Sequence, residues 1–166
     1  MFEGVCPVGV IKLRELLLSL AASAAASLLG TLLGGDMSSA YHAMNLPALA
    51  PPAAVFPIVW TILYVLMALA LYHLLITPQT DYYLRRSTLV LYFSGLLLSA
   101  LWPGAFFRLG QYTLSFFMIV AMIALGVLTV TRMRRICERS AWLYLPYLVW
   151  LVYALYLCYG VARLNR

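Results

Sequence analysis

Polarity along this chain changes at the scale of whole helices. Five runs, at about 13–34, 54–76, 84–106, 112–131 and 141–162, are almost wholly apolar. Each approaches or exceeds the roughly 20 residues that carry a helix across a bilayer core. The breaks between them are chemically sensible: Asp36 to Pro52, Thr77-Pro78-Gln79-Thr80-Asp81, Arg108 with Gly110-Gln111, and Arg132 to Ser140. The pattern predicts an all-α membrane protein, a five-transmembrane-helix bundle with a long loop between helices 1 and 2. Residues 1–166 form a single integral membrane domain, with loop 35–52 as a candidate lid. Three connections are short, so spans two to five are expected to pack as antiparallel neighbours. The first apolar run continues without a small-residue cleavage site, so it is expected to remain in the mature protein.

Composition strengthens this class. The chain is 65% hydrophobic and 10% charged, against roughly 45–50% and 25% in soluble domains. Its few charges set an orientation. The N-terminal side of the first span and the loops after the second and fourth spans hold Lys12, Arg14, Arg85, Arg86, Arg132, Arg134, Arg135 and Arg139. The opposite side holds Arg108, Arg163 and Arg166. The positive-inside rule then places the N-terminus in the cytoplasm and the C-terminus outside, in a bacterial inner membrane. The net charge of +6 reads as topology and contact with lipid headgroups, not nucleic-acid binding, since no soluble domain organises the basic residues. Cys6, Cys137 and Cys158 form no C-x-x-C and no even framework, so they read as ordinary thiols.

Two features between and within the spans invite function. In the first span Ser19, Ser23, Ser27 and Thr31 recur every four residues beside Ala22, Ala26, Gly30 and Gly34. Such faces let helix backbones approach closely, and the hydroxyl of Thr31 is also placed to line a cavity. The loop 35–52 exceeds the roughly 12–15 residues at which a structureless connection becomes unusual. It carries Tyr41, His42, Asn45, Pro47, Pro51 and Pro52 and no Lys or Arg. It is either a stiff lid over a greasy pocket or a connector between distant helices.

Catalytic constellations are nearly absent. Glu3, Glu15, Asp36, Asp81 and Glu138 all fall at or beyond span ends, leaving no intramembrane carboxylate pair for ion-coupled transport. His42 and His73 lie too far apart to compose a metal site with these acids. No nucleophile elbow or phosphate loop occurs, so hydrolytic chemistry is excluded and no metal or required cofactor is expected. What remains is aromatic: four tryptophans, twelve tyrosines and seven phenylalanines. Trp142 suits an interfacial belt. Trp60, Trp102 and Trp150 lie deeper or beside prolines, as packing residues or as walls of a π-rich cavity for a flat apolar ligand.

The residues Tyr41, Leu46-Pro47, Pro51-Pro52, Val55-Phe56 and Val59-Trp60-Thr61-Ile62-Leu63-Tyr64 keep one register with Trp102, Phe106-Phe107, Ala141-Trp142-Leu143, Pro146-Tyr147-Leu148-Val149-Trp150, Ala154, Leu157 and Leu164-Asn165. This register resembles the translocator protein family, the tryptophan-rich sensory proteins or peripheral benzodiazepine receptors, over roughly 40–165. Ala40 stands where that family carries a tryptophan, Leu46 where it carries a lysine, and Cys158 where an asparagine is usual. Gly95 and Ser99 replace two amides expected to face a pocket. The resemblance implies a five-helix bundle, often dimeric, that binds porphyrin or other tetrapyrroles, with lipid or sterol-like ligands in some members. The ligand-binding residues it implies, together with those read above, are Thr31, Tyr41, Pro51, Pro52, Trp60, Ser99, Trp102, Trp150 and Ala154. Leu157, Tyr159 and Arg163 match a short sterol-contact pattern, or else are an interfacial tyrosine and a snorkelling arginine. Two functions stay open: a binding protein acting as sensor, carrier or regulator, and a light- and oxygen-dependent protoporphyrin-degrading enzyme in which Trp60 and Trp150 are catalytic. A homodimer is expected through the Gly95-x-x-x-Ser99 step of the third span.

Overall fold

A computed structural model describes residues 11–78 and 81–165. Those residues form helices α1 (Leu13–Gly34), α2 (Met37–Ala43), α3 (Val55–Ile76), α4 (Tyr82–Pro103), α5 (Tyr112–Ile136) and α6 (Glu138–Leu164), with a π turn at Gly104–Arg108 after α4. Five of these segments are long and apolar enough to cross a membrane. Going round the bundle the order is α1, α3, α6, α5, α4 and back to α1, so the first span closes the ring between α3 and α4.

The expected spans are present, and their ends run further than the apolar runs alone. α5 continues through Arg132, Arg134 and Arg135, and only Cys137 separates it from α6. Basic side chains at a helix C-terminus face the negative end of its dipole and reach into the headgroup layer, so the helix need not stop where its apolar stretch does. α6 also continues through Pro146. At the C-terminus of α3, the Arg85 guanidinium of α4 donates to the carbonyls of Leu75 and Thr77, which supplies partners that the end of a helix lacks.

The small-residue face of α1 is buried, but neither four-residue stripe is followed along its length. Ser19, Ser23, Ala26, Gly30 and Gly34 are buried, whereas Ser27 is half-buried and Thr31 exposed. Four helical steps advance about 400°, so a strict four-residue stripe drifts about 40° per turn and the contact line crosses to its neighbour. At the outer end the approach is close. A β-carbon on Gly30 would lie 3.4 Å from the Ala100 carbonyl oxygen, and one on Gly34 would lie 3.1 Å from Pro103 Cβ.

Two expectations are corrected. The loop 35–52 is not extended throughout: α2 occupies Met37–Ala43, capped by the Asp36 side chain, which accepts from the Ser39 amide at 3.1 Å. An Asp followed by a proline-free stretch is a competent helix start, and the prolines stiffen only the second half. The Gly95–Ser99 step is spent inside the bundle, with Gly95 facing the Tyr144 hydroxyl and Ser99 bonded to Tyr64, so it is not free for a homodimer contact. Cys137 is buried between α5 and α6. Cys158 is free and buried, and Cys6 lies outside the described residues.

Candidate functional site

The outer ends of α1, α3 and α4 do not close completely on one another. A cavity of about 790 Å³ opens between them, beneath α2, within the range of about 300–1,000 Å³ usual for small-molecule sites. Its aromatic walls come from a stripe at four-residue spacing on α3, namely Phe56, Trp60 and Tyr64, and from Trp102 and Phe107 on the α4 side. Positions four apart share a helix face, so one side of α3 is a continuous aromatic surface. Trp60 leans on Tyr64, with centroids 5.7 Å apart, and meets Tyr147 of α6 at 6.4 Å. Trp102 stacks on Phe106 at 4.7 Å and donates its indole N–H to the Ser115 carbonyl at 3.1 Å, which fixes its orientation.

The floor is polar at one point. The hydroxyls of Tyr64 and Ser99 lie 3.1 Å apart, both buried and both lining the cavity. Below it a column of tyrosine rings continues into the bundle. Tyr147 and Tyr144 are 5.3 Å apart and Tyr144 and Tyr92 are 5.8 Å apart. The Tyr144 hydroxyl lies beside Gly95, 3.5 Å from where a β-carbon would stand, and is buried without a hydrogen-bond partner.

The rim is formed by Thr31, Asp36, Ser38, His42, Pro52 and Thr61. Asp36 is held below the usual carboxylate range by hydrogen bonds from the Ser39 side chain and amide. Burial pushes the Tyr41 phenol up, so it stays protonated and donates to the Pro51 carbonyl at 2.7 Å. Tyr41 thereby ties α2 to the proline segment.

That segment is latched to α6. Tyr153 donates to the Leu49 carbonyl at 2.8 Å and Tyr156 to the Ala48 carbonyl at 2.6 Å. Asn165 accepts from the Asn45 amide and donates back to its carbonyl, both at 2.9 Å. Leu49 sits at φ 64°, a conformation costly for a branched residue. Gly160 makes room for Pro47, since a β-carbon there would lie 2.5 Å from the proline ring.

The residues named from sequence are thus divided. Thr31, Tyr41, Pro52, Trp60, Ser99 and Trp102 share the main cavity. Pro51 is the acceptor for Tyr41 behind its rim. Ala154 instead lines a void of about 30 Å³ on the far side of Tyr41 and Phe56. Trp150 lines neither; it packs edge-on against Phe56 at 6.1 Å, and its buried indole nitrogen has no partner. Tyr159 and Arg163 meet, the guanidinium donating to the phenol at 3.4 Å, while Leu157 turns inward. Trp142 is exposed and bonded to Glu138. Phe56, Tyr64 and Phe107 were not singled out as site residues, although the four-residue aromatic spacing from Phe56 to Tyr64 carried the signal for two of them.

Fold and cavity together define a multi-pass helical membrane protein with an aromatic chamber under a latched loop at one end of the bundle. The TspO/MBR family model matches residues 17–164. The chain belongs to the TspO/MBR family. It is 31% identical over 125 residues to the tryptophan-rich protein TspO of Chlorobaculum tepidum, covering 75% of this chain and 78% of that protein. It is 30% identical over 146 residues to the tryptophan-rich sensory protein of Cereibacter sphaeroides, covering 88% of each.

Proposed function

We propose that this protein binds a flat, largely apolar ligand of the porphyrin or tetrapyrrole kind in the chamber beneath α2, and acts as a sensor, carrier or regulator. The carrying observation is the chamber itself: about 790 Å³ walled on one side by Phe56, Trp60 and Tyr64 and on the other by Trp102 and Phe107. A planar π-ligand between such faces gains stacking of about 0.5–1.5 kcal/mol per aromatic pair beyond its area term. Family membership supports the membrane setting and the sensor class. The basic residues gathered at the inner ends of the spans support a bacterial inner membrane, with the N-terminus cytoplasmic and the C-terminus and chamber mouth external. A homodimer belongs to the same reading by family resemblance, through a face other than the Gly95–Ser99 step.

A second reading, light- and oxygen-dependent breakdown of bound protoporphyrin, is favoured by one observation: Trp60 faces the chamber. It rests on Trp60 more than on Trp150, which Phe56 screens. Protoporphyrin titrated into detergent-solubilised protein in the dark should quench tryptophan emission saturably. Stable quenching under subsequent illumination supports the binder. Bleaching with a new absorbing product that requires Trp60 supports the enzyme. No saturable quenching overturns both.

A further inference from the structure

Among the described residues, one imidazole lines the chamber. His42, on the last turn of α2, belongs to its rim, whereas His73 lies near the far end of α3. The His42 ring is oriented by a bond within its own helix, its Nδ1 standing 2.7 Å from the Ser38 carbonyl one turn back. A carbonyl oxygen only accepts, so Nδ1 carries the proton and the lone pair is left on Nε2. Metal-ligating histidines are held in this way, one ring N–H anchored on a backbone carbonyl while the other nitrogen coordinates. A metal held by protein alone needs three or four donors close together, and the described residues gather no such group. A metal that arrives inside a porphyrin needs only one. The macrocycle supplies four nitrogens, and a single imidazole completes an axial position. The aromatic walls supply the apolar shell around such a centre.

We propose that His42 is an axial ligand, through Nε2, for a metal-bearing tetrapyrrole in the chamber, so that the site favours a ferric porphyrin over the metal-free ring. The proposal rests on the tetrapyrrole reading above and names the subclass of ligand and the residue that recognises it. The bond is dative: Nε2 gives its lone pair to the metal, and neither an electron nor a proton is transferred. By accepting from Nδ1–H, the Ser38 carbonyl raises the basicity of Nε2 and fixes the plane of the ring. α2 is then more than a cover, because it carries the ligating group. The Asp36 cap and the Tyr41 bond to Pro51 hold that group over the chamber.

The test titrates ferric protoporphyrin and metal-free protoporphyrin into the full-length protein in detergent, by tryptophan quenching, and records the Soret band of the ferric form. That band should be displaced from its position in the same detergent without protein. The ferric form should bind about tenfold or more tightly than the metal-free ring. His42→Ala should abolish the displacement and bring the affinity ratio to about one. His73→Ala, at the other end of the bundle, should leave the displacement in place. Imidazole added to His42→Ala should restore it at concentrations too low to shift ferric protoporphyrin in detergent alone, which separates lost ligation from lost fold. A displacement that survives His42→Ala, or a ratio near one in the parent, overturns the proposal while the tetrapyrrole reading stands. If neither ring binds the parent, the two fall together.

Discussion

Asp36 shows how much one side chain can decide in so apolar a chain. It starts α2 and, among the described residues, is the only carboxylate on the chamber rim. Because its carboxyl is held below the ordinary value of 3.8 by Ser39, the cap is fully present above that value. It is lost as pH falls through the lower folded value. The Ser39 amide should therefore show a hydrogen-exchange protection factor at neutral pH that is lost in strong acid, and Asp36→Ala should abolish that protection at neutral pH. Unchanged protection in the variant would mean that α2 is held by packing alone. Gly95 carries a second residue-scale expectation. A β-carbon there would already touch the Tyr144 hydroxyl at 3.5 Å in a buried position, so the further carbons of Gly95→Leu overpack the centre of the bundle. It should lower stability by about 1–3 kcal/mol, seen as a lower Tm in detergent. A stable variant that merely changes oligomeric state would return the step to an interface.

At the scale of elements, the sequence conveyed the spans more faithfully than the connections. Runs of about twenty apolar residues are self-announcing, whereas α2 has seven residues and offers no periodic stretch to recognise. Trp60 and Trp102 were legible as chamber walls because depth within a span and neighbouring prolines set them apart. Trp150 was legible only as an aromatic beside Pro146; that Phe56 stands between it and the chamber depends on how α3 and α6 are rotated about their axes, which one sequence does not encode locally. The latch was illegible for the same reason, since its partners are over 100 positions apart, as Tyr153 is from Leu49 and Asn45 from Asn165. Each neutral hydrogen bond of this kind contributes about 0.5–1.5 kcal/mol. Tyr153→Phe with Tyr156→Phe should accordingly speed proteolysis and hydrogen exchange in residues 44–52 without loosening α5. Uniform loosening of the whole bundle would show that the loop is an integral part of the core and not a separately latched element.

At the scale of the whole molecule, a ring of five helices closed by the small-residue face of α1 leaves an aromatic chamber at the end where α2 sits. The basic belt marks the other end, with Arg85, Arg132, Arg134, Arg135 and Arg139 at helix termini there. With single reporter cysteines and an impermeant label applied from outside intact bacterial cells, exposed position 163 should react and exposed position 139 should not; the reverse would place the chamber mouth in the cytoplasm. The account's central claim is that Trp60 faces a flat ligand in that chamber. It is tested most directly by titrating protoporphyrin dimethyl ester into the parent, Trp60→Ala and Trp142→Ala. Loss of the Trp60 indole removes a stacking face and enlarges the void, so affinity should fall about tenfold or more. Trp142, exposed on the opposite end of the bundle, should leave affinity unchanged. Equal affinities in all three proteins would contradict the claim and make Trp60 a packing residue.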